Sequence, residues 1–275
     1  TLRIVLLRWV FCRLRDIVSY LLSVSSEVVR VRVLCGVHLG AYGHDIGVNV
    51  SLEDLVLSVL KETDVKRLRL SSLEPWDLTP DFFKLWEDSR LLPHLHLPLQ
   101  SGSDRTLRRM GRRNTSNSFN NLLQAARMTI PNLSVTTDVM VGFPGETDAQ
   151  FQDTLKVMER VGYSSSFMFS YSPRPGTPAN EFKDSVPLET KSERLQQIIK
   201  LQNRLTEEQG QSYKGKIVEV LIEGGSSKPG YSFKGRNPQY WRVNLKGDEK
   251  KFQPGDIVKV NIEKTSGHSL SGLIQ

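Results

Sequence analysis

Between Cys35 and Ala179, apolar β-prone runs alternate with helical patterns, and no other feature of this chain limits its fold so tightly. Strands are expected at Val31–Val37, Val65–Ser71, His94–Leu99, Leu133–Val141 and Ser166–Tyr171. Their centres recur about every 30 to 40 residues, the span of a strand, a helix and two loops. The intervening helices have readable starts. Ser51 with Asp54 forms a capping box for Leu52–Glu62, Thr79-Pro80 opens Pro80–Glu87, and Thr147 caps Asp148–Val161, with a further helix over Ser116–Met128. Repeated strand-helix units imply an α/β class with a parallel sheet, closed into a barrel or open.

After Ala179 the pattern changes. Leu188–Gln211 reads as one long, charged connecting helix. From Lys216 short alternating segments follow, at Ile217–Ile222, Tyr240–Leu245, Ile257–Ile262 and around Leu270, punctuated by Gly and Pro as in a small all-β barrel or sandwich. Three parts are therefore expected: an atypical segment 1–34, an α/β core with its linker helix at 35–211, and a β module at 212–275. With 38% hydrophobic residues in 275, the chain has enough apolar surface to order a core. The longest stretch free of Asp, Glu, Lys and Arg is 13 residues, as at Leu91–Ser103, short of the roughly 20 that a spanning helix needs. Two cysteines, Cys12 and Cys35, argue against a disulfide framework and suit a reducing, cytoplasmic setting. Thr1–Ser26 alternates Arg with apolar runs and lacks the layout of a signal peptide.

Charge is unevenly placed. Ser212–Gln275 holds 11 Lys or Arg against 6 Asp or Glu, and Thr1–Leu34 holds 6 against 2, whereas Cys35–Gln211 has 20 against 22. A near-neutral core joined to a basic module fits a partner that is a polyanion, although a modest positive excess alone serves solubility.

Four motifs sit where expected strands end. Gly36-Val37-His38-Leu39-Gly40-Ala41-Tyr42-Gly43 would let backbone groups approach a polar ligand, or be an ordinary glycine-rich turn. His38 and His44 lack partners at metal-ligand spacing. Leu97–Ser103 places Gln100 and Ser101 at a strand's carboxyl end, where ligands of parallel α/β proteins gather, and a capping loop is the equal alternative. Val141-Gly142-Phe143-Pro144-Gly145 reads as a rigid, bare turn suited to a flat ring. Tyr171–Ala179 repeats the arrangement and fixes Arg174 between two prolines, able to hold a carboxylate or phosphate.

These motifs, with Arg69-Leu70-Ser71-Ser72-Leu73-Glu74-Pro75, occur in an order and spacing that resemble the radical S-adenosylmethionine (SAM) methylthiotransferases. The Leu-Gly-Ala-Tyr-Gly and Ser-Ser-Leu-Glu forms are more similar to the MtaB type than to the MiaB or RimO types. The resemblance covers roughly Cys35–Ala179 and the tail. It implies a partial (β/α) radical-SAM barrel followed by a TRAM domain, a small RNA-binding β-barrel, with SAM and a 4Fe-4S cluster as cofactors. The implied activity is addition of a methylthio group to C2 of N6-threonylcarbamoyladenosine beside the anticodon of a tRNA. Carried over by motif, Gly36, Gly40 and Gly43 would meet the methionine moiety of SAM. Glu74, Gln100 and Ser101 would line its ribose and the substrate side, and Val141, Gly142, Gly145, Phe169 and Tyr171 would flank its adenine, with Arg174 as a nearby anion contact. In the tail, Lys214, Lys216, Lys234, Arg236 and Arg242 interleave with Phe233, Tyr240 and Trp241, a mixture that neutralises phosphates and stacks unpaired bases. The alternative is a basic surface over a core that buries Trp241.

The chain departs from the family pattern in its N-terminal part, where the domain that carries the family's auxiliary cluster is missing. The three-cysteine loop (Cys-x-x-x-Cys-x-x-Cys) that holds the SAM-binding cluster is missing too, and Thr1–Arg32 matches no part of the family pattern. Either the gene is truncated or frame-shifted upstream, which the Arg-rich apolar character of that segment favours, or the true N-terminus lies outside these residues. The remaining alternatives are a non-catalytic RNA-binding remnant and a radical SAM enzyme with a non-RNA substrate.

Overall fold

The computed structural model describes residues 2–6, 31–36, 38–44, 50–183 and 185–275, so Cys12 and Val37 lie outside the described residues. Among the described residues, six parallel strands form the wall of the larger domain. β1 (Leu2–Leu6), β2 (Val31–Cys35) and β3 (Leu68–Leu70) pair in that order, as do β4 (His94–His96), β5 (Ser134–Val141) and β6 (Ser165–Ser170). Single parallel bridges, Leu68 to Leu91 and Ser72 to His96, join the two sets. The wall curves: Val33 of β2 and His94 of β4 face one interior cavity, and the His96 and Phe167 rings meet across the lumen at 6.0 Å. The result is a partial (β/α) barrel. β1 lies in the segment where no strand was expected.

Helices α1 (Leu52–Glu62), α2 (Asp104–Arg109), α3 (Ser116–Thr129), α4 (Asp148–Val161) and α5 (Leu188–Gln211) connect or flank the strands. Ser51 and Asp54 bond reciprocally in the capping box, and Thr115 with Ser118 and Thr147 with Gln150 do the same for α3 and α4. Each box stabilises its helix start by about 1 kcal/mol. Leu55, Val56 and Val59 of α1 and Phe151, Val157 and Met158 of α4 join Leu34, Leu68, Val139 and Val141 of the strands in one buried core. Pro80–Glu87, expected as an α-helix, winds as a 3-10 helix that buries Phe82, Phe83, Leu85 and Trp86.

The C-terminal module is a closed barrel of β7 (Ile217–Gly225), β8 (Phe233–Arg236), β9 (Arg242–Lys246), β10 (Ile257–Ser266) and β11 (Ser269–Ile274), in the order β10-β11-β9-β8-β7. β8 was not expected from the sequence. Gly235, a poor strand former, sits there because a Cβ would stand 2.1 Å from the Leu221 carbonyl oxygen across the ladder.

The module closes the barrel at the amino ends of its strands. Arg67, just before β3, pairs with Glu219, and the Arg69 guanidinium donates to the Pro238 carbonyl at 3.2 Å. Tyr240, at φ 73°, is held between Arg69 and Arg236, 4.5 and 4.1 Å from its ring centre, and against the His94 ring at 4.8 Å. Burial lowers Arg69 to about 10, still charged at neutral pH. His94, fully buried, is pushed well below the usual imidazole range by desolvation and then by the charges of Arg69, His96 and Arg236. A depressed folded-state value means that the unfolded chain takes up the proton first. Stability is then complete above about pH 6.5 and falls on acidification, by up to about 1.4 kcal/mol per pH unit. Urea unfolding between about pH 7.5 and 5.5 should show that slope, and His94→Gln should flatten it.

Candidate active site and nucleic-acid interface

Each turn singled out by sequence follows the carboxyl end of a parallel strand, so all share one rim. The loop from Gly36 follows β2, Glu74 follows β3, Gln100 follows β4, Val141–Gly145 closes β5 and Tyr171–Arg174 follows β6. A cavity of about 650 Å³ opens there. Gln100, Phe169, Tyr171 and Arg174 line it, joined by Asp138, Met140 and Phe143 and by Arg108, Arg109 and Arg112 from the end of α2 and the turn after it. Gln100 sits at φ 62°; its amide donates to Asp138 O and its carbonyl accepts from the Met140 amide, which fixes it beside the strand end. Phe143 and Tyr171 meet edge to face at 5.1 Å, and Asp138 accepts from His96 at 3.3 Å. Apolar rings around one carboxylate suit an adenosyl group bearing a cationic sulfur.

Other expected residues do different work. Ser101 is fully buried; its hydroxyl lies 3.3 Å from that of Thr154 on α4 and accepts from the Ser103 amide, so it shapes the loop and does not line the cavity. Glu74 is held by Arg112 at 2.8 Å. The Val141–Gly145 turn is covered, not bare. The Gly142 amide donates to Glu146 Oε2 at 2.7 Å, and at φ 70° a Cβ on Gly142 would strike the Lys191 side chain of α5. Arg194 of α5 bonds Glu146 at 2.9 Å, and Lys191 donates to Tyr171 O at 3.3 Å, so α5 clamps two rim turns. Burial raises the Glu146 carboxyl above its ordinary range, against the pull of the Gly142 amide and Arg194.

In the glycine-rich loop, Gly40 packs against Asp77, whose carboxylate takes the His38 ring nitrogen at 2.6 Å; a Cβ at position 40 would stand 2.5 Å from it. Gly43, at φ 97°, makes the turn against the Val50 carbonyl. Gly36 has ordinary space. These three glycines lie on the rim but do not line the cavity.

The rings and the Asp138 carboxylate are of a chemistry that suits SAM, whereas the cysteines present do not suit the cluster. Three thiolates are needed, and the sequence has two cysteines, of which only Cys35 is described. Among the described residues no three His, Cys, Asp or Glu side chains are grouped as metal ligands.

In the small barrel, Phe233 and Trp241 are core residues at 6% exposure, Trp241 packed against Tyr213 at 5.7 Å. They are not free to stack bases, which corrects that expectation. Tyr240 and Arg236 serve the docking contact, Arg236 also pairing with Glu223 at 3.3 Å. Lys214, Lys216, Lys234 and Arg242 are exposed. Strand register places Lys234, Arg236, Arg242 and Lys246 on the outer face of β8 and β9. Beside them Tyr231 stands between Lys228 and Lys246 at 5.2 and 5.6 Å. Arg108, Arg109 and Arg112 were not picked out from the sequence; the run Arg105–Arg113, with five arginines, was the available signal.

This architecture has matches among known proteins. Residues 26–158 match the model of the radical SAM superfamily, and residues 211–274 match the TRAM domain. Coproporphyrinogen III oxidase of Escherichia coli, a radical SAM enzyme, superposes with a TM-score of 0.51 at 13% identity, covering 88% of this chain and 58% of that one, which bears on fold alone. The chain is thus a radical SAM domain followed by a TRAM domain. The tRNA-2-methylthio-N(6)-dimethylallyladenosine synthase of Acetivibrio thermocellus is 37% identical over 260 residues, covering 94% of this chain and 54% of the relative. That of Bacillus subtilis (strain 168) is 37% identical over 262 residues, covering 94% and 51%. The chain carries a radical SAM domain and a TRAM domain, is similar to these relatives along nearly all of its own length, and spans about half of theirs. No helix among the described residues is long and apolar enough to cross a membrane.

Proposed function

We propose that this chain binds SAM and tRNA as the substrate-handling part of a cytoplasmic methylthiotransferase, one whose target is C2 of N6-threonylcarbamoyladenosine beside the anticodon. Residues 35–211 form the SAM-binding unit and 212–275 the RNA-binding unit. SAM bound at the rim would supply the methyl group. Phe169 and Tyr171 would flank its adenine, Gln100 would offer polar contacts, and Asp138 would face its positive charge. The cysteine count favours reading these residues as a binding unit that does not initiate the radical itself.

One observation carries the choice of base: arginines ring the mouth of the aromatic cavity, with exposed Arg174 fixed between prolines. A threonylcarbamoyl group bears a carboxylate that arginine pairs with strongly, whereas the dimethylallyl group in the relatives' names is apolar. Anticodon stem-loops carrying each group separate the cases. The threonylcarbamoyl form should bind roughly tenfold tighter, worth about 1.4 kcal/mol, and Arg174→Ala should abolish the difference. Equal binding, or preference for the dimethylallyl form, would count against this assignment. Anaerobic reconstitution with iron and sulfide should yield no 5′-deoxyadenosine from SAM, and its formation would overturn the binding-unit reading.

A further inference from the structure

The rim carries more positive charge than SAM can use. SAM is itself a net cation with a single carboxylate, and Asp138 already gives the cavity a complementary negative group. Yet α2 and the turn after it present Arg105, Arg108, Arg109, Arg112 and Arg113 within nine residues, offset locally by Asp104 and by the Glu74 partner of Arg112. Arg112 is thereby anchored, and Arg109 lies over the Phe182 ring at 4.9 Å. Arg105, Arg108 and Arg113 are exposed, and among the described residues no ion pair holds them. Arg108 lines the cavity, and Arg105 and Arg113 flank it on the same short segment; three guanidinium groups left in water there suit the phosphates of a ligand that extends out of the cavity.

We propose that Arg105, Arg108 and Arg113 form a second RNA-backbone site, on the radical SAM domain, that seats the strand entering the rim cavity. The inference rests on the tRNA reading above. Geometry gives it a distinct role from the TRAM face. The TRAM domain docks at the amino ends of β3 and β4 through Arg67, Arg69 and His94, whereas the arginine turn follows the carboxyl end of β4. The TRAM docking contact and the arginine segment therefore lie at opposite ends of β4, about 10 Å apart for a strand of three residues. A folded RNA touching both the TRAM face and the arginine segment would be held in register with the cavity; one held by the TRAM domain alone would be free to pivot.

The test uses the full 275-residue chain and a fluorescein-labelled RNA stem-loop with unpaired adenosines, followed by anisotropy from about 50 to 200 mM salt. Arg105→Ala/Arg108→Ala/Arg113→Ala should weaken binding roughly tenfold or more and lower the slope of log affinity against log salt by about 2 to 3. The matching triple substitution to Lys should restore most of both, because the charge returns. Arg105→Ala/Arg113→Ala, which leaves the cavity lining untouched, should bind SAM in equilibrium dialysis as the parent chain does while losing part of both RNA readouts. If the parent chain binds RNA and the Ala triple keeps its affinity and slope, this second site is wrong while the tRNA reading stands. If the parent chain does not bind the stem-loop at all, both fall together.

Discussion

Glu146→Ala is expected to destabilise the protein by about 3–5 kcal/mol, the largest effect of any single polar substitution in the barrel. Glu146 accepts from the Gly142 amide and from Arg194, and the pair is buried, with Glu146 at 5% and Arg194 at 5% exposure. Burial raises the carboxyl in spite of these partners, so desolvation outweighs pairing and the ion pair itself adds little net stability. Removing one member is a different matter: it strands the other charge in a dry site and frees the Gly142 amide. The Asp148 carboxylate also bonds Arg194, at 2.5 Å, but is 90% exposed and offers little compensation. Urea denaturation followed by circular dichroism should show the loss, and Glu146→Gln/Arg194→Met, which removes both charges, should recover most of it. A cost below about 1 kcal/mol for the single substitution would mean that α5 is not clamped through this pair. Because the same clamp covers the β5 turn and reaches Tyr171 through Lys191, the Ala variant should also loosen the rim cavity and weaken SAM binding.

This clamp marks a limit of reading the chain from its sequence. The strand-helix alternation was legible because the elements carry their own period and several their own cap, as with Ser51 and Thr147. The turn Val141–Gly145 was legible as a turn, yet its glycines looked bare because the residue that covers them, Lys191, lies about 50 positions away on a helix that local pattern shows only as charged. Trp241 and Tyr240 make the same point. Adjacent aromatics in a basic stretch resemble a stacking platform, but the turn before β9, with Tyr240 at φ 73°, sends Trp241 into the small barrel's core and Tyr240 into the contact between domains. β8 was missed because Gly235 is dictated by cross-strand closeness rather than by propensity. The arginine run was plainly written in the sequence; what the fold added was its place on the rim.

The TRAM face carries the other large prediction. With Phe233 and Trp241 in the core, its RNA affinity has to come mainly from exposed cations, and affinity of that origin is released by salt. Replacing Lys214, Lys216, Lys234 and Arg242 together by Ala removes up to four phosphate contacts. Each contributes about 0.7 to 0.9 to the salt slope, so the slope should fall by about 3 to 4. Four such contacts weaken binding by roughly 50- to 150-fold between 50 and 200 mM salt, a sensitivity that the quadruple variant should lose along with most of its low-salt affinity. Unfolding in urea should stay within about 0.5 kcal/mol per substitution, because all four side chains are exposed. Trp241→Ala should behave oppositely, costing about 3–5 kcal/mol of stability through the cavity it leaves. It should then weaken RNA binding only as far as it unfolds the module. If the quadruple variant kept the parent's salt slope while a folded Trp241→Ala protein lost RNA, recognition would rest on stacking after all, and the basic face would be serving solubility alone.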